Sequence, residues 1–272
     1  MRAAVLNGFG INCEVETAAA LRMAGAEVDT VHLNRVLLGK ASIRAFDLVV
    51  FPGGFSFGDD LGSGRVLASK LRFARLPSGR RLVDELDAFL ADGGRLLGIC
   101  NGFQILVKAG LLPFGSSGGF VQQATLAPND SGRFEDRWVR LRVNPKTPAA
   151  WLRTLGVFEA PVRHGEGKVV LASAVRARVE ASGLDALSYV DEDGQPTERY
   201  PENPNGSSLG CAGLTDPSGQ VLGLMPHPEA FLSPLNHPAW PSTKRREEWI
   251  ETPKRGQGYS FFAALVDAGR GV

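Results

Sequence analysis

The chain has 272 residues, of which 43% are hydrophobic and 22% charged, and these ordinary proportions exclude intrinsic disorder and a fibrous fold. Its 30 lysines and arginines nearly balance 29 aspartates and glutamates, so a formal net charge of +1 provides no electrostatic attraction to nucleic acid or to an anionic membrane. A small, neutral or self-contained substrate is therefore favoured.

Strands and helices alternate through the first half of the chain. Short apolar runs predict strands at 2–6, 28–33, 47–51 and 95–99, and helical apolar spacing predicts helices at 13–24, 80–92 and 102–109. This alternation predicts a parallel α/β sheet with right-handed crossovers, whose ligand sites lie beyond the carboxyl ends of the strands.

The second half is richer in strand signals. Further strands are predicted at 138–143, 168–172, 187–190 and 221–225, so we expect the sheet to continue with an antiparallel extension, in one large domain. The segment 200–207 (YPENPNGS) is too rich in turn-forming residues for regular structure, and such loops are often functional.

The start of the chain and its cysteines indicate the cellular compartment. Met1 opens directly into a strand pattern, with no signal-peptide pattern and no apolar run of about 18 residues, so we expect a cytoplasmic protein. Three cysteines without CxxC spacing argue against a disulfide framework and a structural zinc site. We interpret Cys13 as a buried helix residue and Cys211 as a strand residue, neither with a catalytic role.

The segment 98–102 (GICNG) lies where a predicted strand passes into a predicted helix. It matches the nucleophile elbow of hydrolases with Cys100 in place of serine, and its glycines leave room for a sharp turn. The positive end of the helix dipole favours the thiolate. Alone, the pattern leaves two interpretations equally open: a nucleophile, or a buried structural cysteine in a tight turn.

A base for this nucleophile is offered by the segment 225–229 (MPHPE), directly after a predicted strand. His227 should project from the same carboxyl edge of the sheet, and Glu229 is in reach to orient the imidazole through a hydrogen bond. A lone histidine is more often a satisfied core or surface residue, but this context favours catalysis.

The segment 51–59 (FPGGFSFGD) also follows a strand and would bring bare backbone amides close to the nucleophile. Gly54 and Asn101 are the two candidate donors to a tetrahedral oxyanion. The alternative is a phosphate-binding turn, but the segment lacks the lysine and hydroxyl pair of a P-loop and the spacing of a dinucleotide fingerprint.

Together, the segments 52–54 (PGG), 98–104 (GICNGFQ) and 226–229 (PHPE) resemble class I (triad-type) glutamine amidotransferases. The resemblance implies one amidotransferase domain over 1–272, built on a mostly parallel, flavodoxin-like α/β sheet with helices on both faces and an antiparallel extension. It implies that Cys100 attacks the side-chain amide of glutamine, that His227 moves the proton, and that Glu229 orients His227.

More narrowly, the chain is similar to the glutaminase subunits of phosphoribosylformylglycinamidine synthases over most of its length. The segments that carry this similarity are 7–14 (NGFGINCE), 53–59 (GGFSFGD), 163–167 (RHGEG) and 203–207 (NPNGS). The similarity implies that glutamine is bound by Gly53, Phe55, Gln104 and His164, with the loop 164–167 covering the pocket.

The same similarity implies partners and a pathway. Ammonia released from glutamine would pass to a larger synthetase subunit that converts formylglycinamide ribonucleotide to formylglycinamidine ribonucleotide in purine (IMP) biosynthesis. ATP and magnesium are expected on that subunit, with no metal or cofactor on this one, and a small third subunit would complete the complex.

Three alternatives stay open. The chain could serve another acceptor as an amidotransferase of the same class, it could be a catalytically silent flavodoxin-like binding module, or it could be a cysteine hydrolase acting on another carbonyl. The segment 230–258, with Trp240 and Trp249, is long for the family and could alter the partner interface. Within it, we interpret the run 244–246 (KRR) as a solvated helix face.

Overall fold

The computed structural model describes residues 1–242 and 255–269 of the chain. Its strands are β1 (Arg2–Asn7), β2 (Glu27–His32), β3 (Leu48–Phe51), β4 (Arg95–Ile99), β5 (Ala124–Ala127), β6 (Glu135–Val143), β7 (Val157–His164), β8 (Lys168–Leu171), β9 (Leu187–Tyr189), β10 (Cys211–Thr215) and β11 (Val221–Leu224). Its helices are α1 (Glu14–Met23), α2 (Leu33–Leu37), α3 (Arg65–Phe73), α4 (Leu82–Ala91), α5 (Asn101–Lys108), α6 (Ser173–Ala181) and α7 (Gln257–Gly269).

The main sheet has the strand order β2-β1-β3-β4-β11-β10-β9-β6-β7 across the described residues. From β2 to β11 all neighbours are parallel, and from β11 to β7 all are antiparallel. On one face α1 contacts α7, and on the other α3 contacts α4 and α5. The predicted mostly parallel sheet with helices on both faces and an antiparallel extension is therefore confirmed.

Central parallel strands are apolar throughout because both of their faces are covered. All four residues of β3 (LVVF) and of β11 (VLGL) are buried. In the antiparallel part, β6 instead alternates, with Val139, Leu141 and Val143 buried and Arg140 exposed. Such alternation is typical of a strand with one covered face.

The register of the central strands aligns their carboxyl ends. Phe51 of β3 pairs with Gly98 of β4, and Leu224 of β11 pairs with Ile99 of β4. The chain therefore leaves three adjacent strands at nearly one level, into the segments 52–54, 100–102 and 225–229. This register brings the three sequence motifs to one edge of the sheet.

The segment 168–172 was predicted to extend the main sheet, and this was wrong. It forms β8, which pairs with β5 in a separate two-stranded antiparallel sheet. The Val169 N–H donates to Ser207 Oγ at 2.9 Å, so the loop 200–207 anchors this strand away from the main sheet.

Several elements were not predicted. The strand β7 contains Pro161, which sequence patterns count against a strand, but β7 lies at the end of the described sheet where a missing N–H breaks no ladder. Helix α7 lies partly within the segment 230–258, whereas the run 244–246 and Trp249 fall outside the described residues. Within 1–242 and 255–269, no helix is long and apolar enough to span a bilayer.

Candidate active site

Cys100 occupies a strained turn between β4 and α5. Its φ of 51° and ψ of −104° are costly for a residue with a side chain. A Cβ on Gly98 would come within 2.7 Å of the Gly102 carbonyl group, and one on Gly102 would lie 1.8 Å from the Phe51 oxygen. Only glycine fits at these two positions, so the turn can form around the thiol as the sequence predicted.

The base candidate lies on the adjacent strand end. His227 and Glu229 are only 3% and 4% exposed, and His227 Nδ1 is 2.6 Å from Glu229 Oε1. The His227 backbone N–H donates to the Pro161 carbonyl oxygen at 2.8 Å, which fixes the main chain below the ring. The Glu229 carboxylate thus orients the imidazole ring through Nδ1. The other ring nitrogen, Nε2, has no well-aligned hydrogen-bond partner among the described residues.

Electrostatics favour a charged imidazole at this position. Burial lowers the pKa of His227, but the electrostatic attraction of Glu229 and Cys100, with hydrogen-bonding contacts to Cys100 and Cys13, together raises its pKa well above the ordinary value. The Cys100 thiol itself donates to the Arg163 carbonyl oxygen at 3.6 Å. Thiol, imidazole and carboxylate therefore meet at one edge of the sheet and form one electrostatic unit.

Two backbone N–H groups belong to the turns that meet at this site, those of Gly54 and Asn101. Gly54 has a φ of 141° and is so closely packed that a Cβ would lie 2.7 Å from both Gly10 O and Asn12 N. The Asn101 side chain is occupied, since Oδ1 accepts from Ser56 N at 3.1 Å and Nδ2 donates to Gln104 Oε1 at 2.9 Å. The backbone N–H groups of Gly54 and Asn101 find no acceptor within the described chain, so both can donate to a bound molecule.

The other predicted glutamine contacts are placed around this edge. Gly53 leaves no room for a side chain, because its Cβ would be 2.8 Å from His227 Cε1, and Phe55 is 46% exposed at the rim. Gln104 is buried, and its Nε2 donates to the Glu166 carbonyl oxygen at 2.6 Å. Its amide is therefore engaged within the protein, where it connects α5 to the loop 164–167.

His164 is buried at the carboxyl end of β7. Burial and the nearby charge of His227 lower the pKa of His164 from 6.5 to about 4, so its ring is neutral near pH 7. Nδ1 lies 3.0 Å from Asn129 Oδ1, which only accepts, so the ring proton is on Nδ1. The buried Nε2 lone pair has no partner among the described residues and is available to a ligand N–H.

Cys13 corrects the sequence interpretation. It is the half-buried N-cap residue of α1 rather than a buried helix residue, and its Sγ lies within 4.8 Å of ligating atoms of His227 and Glu229. The Cys13 N–H donates to Gly53 O at 3.2 Å, which joins the loop after β1 to the loop after β3. Since β1 and β3 are neighbours, the strand order was the signal that could have predicted this contact. Cys211 is buried in β10, and its predicted position in a strand is confirmed.

The turn-rich loop 200–207 packs against the loop 164–167 and holds it in place. Asn205 and Ser207 are fully buried, and Ser207 Oγ donates to the Gly167 carbonyl oxygen at 3.3 Å. Asn203 Oδ1 accepts from the backbone N–H groups of Gly206 and Ser207 at 3.1 and 3.2 Å. This irregular segment therefore acts by fixing the end of the loop 164–167.

Comparison with known proteins gives consistent matches. A model of the CobB/CobQ-like glutamine amidotransferase domain matches residues 1–265. The phosphoribosylformylglycinamidine synthase subunit PurQ of Dehalococcoides mccartyi is 39% identical over 268 residues, which cover 98% of this chain and 97% of that relative. The subunit of the same name from Methanococcus maripaludis is 38% identical over 237 residues, covering 87% and 84%. In the solved structure of PurLQS from Thermotoga maritima, a chain 28% identical to this one aligns with a TM-score of 0.67, over 97% of this chain and 98% of its own length.

Proposed function

The chain belongs to the CobB/CobQ-like glutamine amidotransferase family, and we propose that it is the glutaminase subunit of a phosphoribosylformylglycinamidine synthase, the function named in its relatives. It hydrolyses L-glutamine to glutamate and ammonia and supplies the ammonia to a synthetase subunit. The observation that carries this proposal is the meeting of Cys100, His227 and Glu229 at the aligned ends of adjacent strands. The family model and the relatives confirm the family resemblance that the three sequence motifs predicted.

In the first half-reaction we assign the nucleophile to Cys100. The thiol first gives its proton to His227 Nε2, and Glu229 stabilises the resulting imidazolium. The Cys100 sulfur then forms a bond to the amide carbon of glutamine. The carbonyl oxygen becomes an oxyanion that accepts from the backbone N–H groups of Gly54 and Asn101. When the oxyanion collapses, His227 gives its proton to the leaving nitrogen, and ammonia departs from a thioester.

The second half-reaction restores the enzyme. His227 removes a proton from water, the resulting hydroxide attacks the thioester carbon, and the same two N–H groups stabilise the new oxyanion. The carbon–sulfur bond breaks, the Cys100 sulfur is reprotonated by His227, and glutamate is released. A side chain supplies the nucleophile, so we assign no metal or cofactor to this subunit.

The glutamine site is assigned to the residues around this edge. Gly53 and Phe55 line one side through their loop, and His164 offers its neutral Nε2 to a substrate N–H. Gln104 contributes indirectly, because its side-chain amide holds the loop 164–167 against α5. We propose that this loop covers the bound glutamine.

The partner assignments follow from the proposed function. The relatives' names support a synthetase subunit as the partner, and the complex structure that contains a similar chain agrees with this. We assign ATP and magnesium to that subunit, expect a small third subunit in the complex, and expect the cytoplasm as its location. Because free ammonia is protonated and diluted in water, we expect glutaminase activity to be low until the partner docks.

The test is glutamate release from glutamine by the wild-type chain and by Cys100→Ser, with and without the synthetase subunit, formylglycinamide ribonucleotide and ATP. We expect activity that the partner stimulates and that the substitution abolishes. Full activity in the Cys100→Ser variant would overturn the assignment of the nucleophile. A wild type that is inactive with the partner on glutamine, but active on another amide, would overturn the function.

A further inference from the structure

Two charged residues outside the proposed chemistry form an ion pair close to the site. Lys108 Nζ lies 3.3 Å from Glu166 Oε2, and the two side chains are only 10% and 21% exposed. Lys108 is on α5, two turns after Cys100. Because Cys100, Gln104 and Lys108 are spaced by four residues, their side chains project from one side of the helix. Glu166 belongs to the loop 164–167. The pair therefore joins the helix that begins at the nucleophile to the loop assigned to cover glutamine.

The pair also holds a second loop, residues 52–64, which begins at the Pro-Gly-Gly turn. Lys108 Nζ donates to the Ser63 carbonyl oxygen at 2.5 Å, and the Ser63 N–H donates to Glu166 Oε2 at 3.1 Å. Both backbone polar groups of Ser63 are thus bound by the two members of one ion pair. Together with the bond from Gln104 to Glu166 O, these contacts fasten both loops to α5.

The reacting groups are held by different contacts. Cys100 is fixed by the tight glycine packing of its turn, and His227 by the Pro161 carbonyl oxygen and by Glu229. Gly54 is fixed by its close contacts with the segment 10–12. Loss of the ion pair should therefore loosen the walls of the pocket and leave the nucleophile, the base and one oxyanion donor in place.

We propose that Lys108 and Glu166 are positioning residues that hold the loops 52–64 and 164–167 together over bound glutamine, and so set the affinity for glutamine more than the rate of the chemical step. This inference rests on the proposed glutaminase function. Removing one member leaves the other charge poorly compensated in a mostly buried position, which penalises the closed arrangement of both loops.

The test uses Lys108→Met and Glu166→Gln, with Lys108→Arg as the conservative variant, in the full chain with its synthetase partner. The matched control is Arg44→Met, which breaks the exposed ion pair of Arg44 with Asp92, between the turn before β3 and the end of α4. Steady-state kinetics give KM for glutamine and kcat separately, and hydrogen–deuterium exchange reports the opening of the loops 52–64 and 164–167 without requiring activity.

For Lys108→Met and Glu166→Gln we expect KM to rise about tenfold, with kcat within about threefold of the wild type. Exchange should become faster in both loops, and it should stay unchanged in β3 and β4. Lys108→Arg should restore most of the affinity, because the guanidinium can still reach both oxygens, and Arg44→Met should leave all values at wild-type levels.

Two results would overturn the proposal: a fall in kcat at constant KM, or unchanged exchange in both loops with unchanged KM. The failure of the proposed function is a separate result. Suppose that the wild type does not hydrolyse glutamine but that both variants show faster exchange in the two loops. The proposed glutaminase function and the role of the ion pair in glutamine affinity would then be wrong. The conclusion that the ion pair holds the two loops together would remain supported.

Discussion

The parallel and antiparallel parts of the main sheet contribute different things to one site. The parallel part supplies the groups that react, since Cys100 and His227 both follow parallel strands at its carboxyl edge. The antiparallel part supplies their supports, because Pro161 O binds the His227 backbone and Arg163 O accepts from the Cys100 thiol. Reactive groups come from strand ends that the sheet aligns, and the walls around them come from the antiparallel extension.

The substitution with the largest expected effect on the parallel part of the sheet is Gly102→Ala. The added Cβ would lie 1.8 Å from Phe51 O, a rigid backbone atom, so β3 or α5 must move. We expect a loss of about 4 kcal/mol in the free energy of unfolding and loss of glutaminase activity. Denaturant titration measures this against Gly132→Ala, where φ is 63° and no atom lies within 4 Å, so that only the backbone cost of about 1–2 kcal/mol applies. Equal losses in the two variants would refute the packing argument.

The antiparallel part carries two groups with opposite pH dependences. His164 has its pKa lowered from 6.5 to about 4, so between these pH values the unfolded chain binds a proton that the folded chain does not. Its contribution to stability is fully present above pH 6.5 and is lost as the pH falls towards 4, by about 3 kcal/mol in total. Asp185, half-buried between α6 and β9, has its pKa raised from 3.8 to about 6, chiefly by burial.

For Asp185 the sign is reversed. Between pH 6 and 3.8 the folded chain binds the proton first, so stability rises as the pH falls, by about 1–2 kcal/mol after allowance for solvent screening. The two trends partly cancel in the wild type. Urea titrations at several pH values should show a steeper loss towards pH 4 in Asp185→Asn, and a flatter or rising curve in His164→Asn. Parallel curves for all three proteins would rule out both assignments.

Glu229→Gln tests how the two parts cooperate at His227. The amide can still accept from Nδ1, so the ring should keep its position, but the negative charge that raises the pKa of His227 is lost. We expect kcat to fall about a hundredfold, with KM changed by less than about threefold. The acidic limb of the kcat profile should move to lower pH, because the imidazole gives up its proton more readily. A kcat that stays at the wild-type value would show that the carboxylate charge is not used.

Cys13→Ser has the smallest expected effect. The substitution places a serine at the N-cap position of α1 and removes a polarisable sulfur from beside His227. We expect kcat to fall by less than about tenfold, with no change in the melting temperature. Alkylation by iodoacetamide, followed by mass spectrometry, should still modify Cys100 in this variant. A loss as large as that of Cys100→Ser would make Cys13 part of the chemistry.

Much of the site could be predicted from sequence because its motifs follow strands that end abruptly. The runs before 52–54, 98–102 and 225–229 are apolar and short, and each stops at glycine, cysteine or proline. Their convergence depends only on the rule that parallel strands present their carboxyl ends on one edge. The assigned catalytic roles and glutamine contacts stay predictions until the kinetic tests above are made.

The other features of the site depend on contacts between residues far apart in the chain, which leave no pattern in the local sequence. Cys13 reaches His227 only because β1 lies beside β3, and the strand order is not encoded in the periodicity of either segment. Lys108 and Glu166 are 58 residues apart, and each resembles an ordinary surface charge in the sequence. Strand β7 was not among the predicted strands. It contains Pro161, a residue that strands accept at the edge of a sheet, and β7 lies at the end of the described sheet.

The alignment of β4 with β11 also has a consequence for copies of the protein that fold incorrectly. Leu224 pairs with Ile99, so a shift of one residue between these strands would displace His227 along the sheet by about 3.3 Å and turn alternate side chains to the opposite face. A copy with that shift would keep much of its apolar burial but would lose the contact between base and thiol. A copy misfolded in this way would therefore lack glutaminase activity.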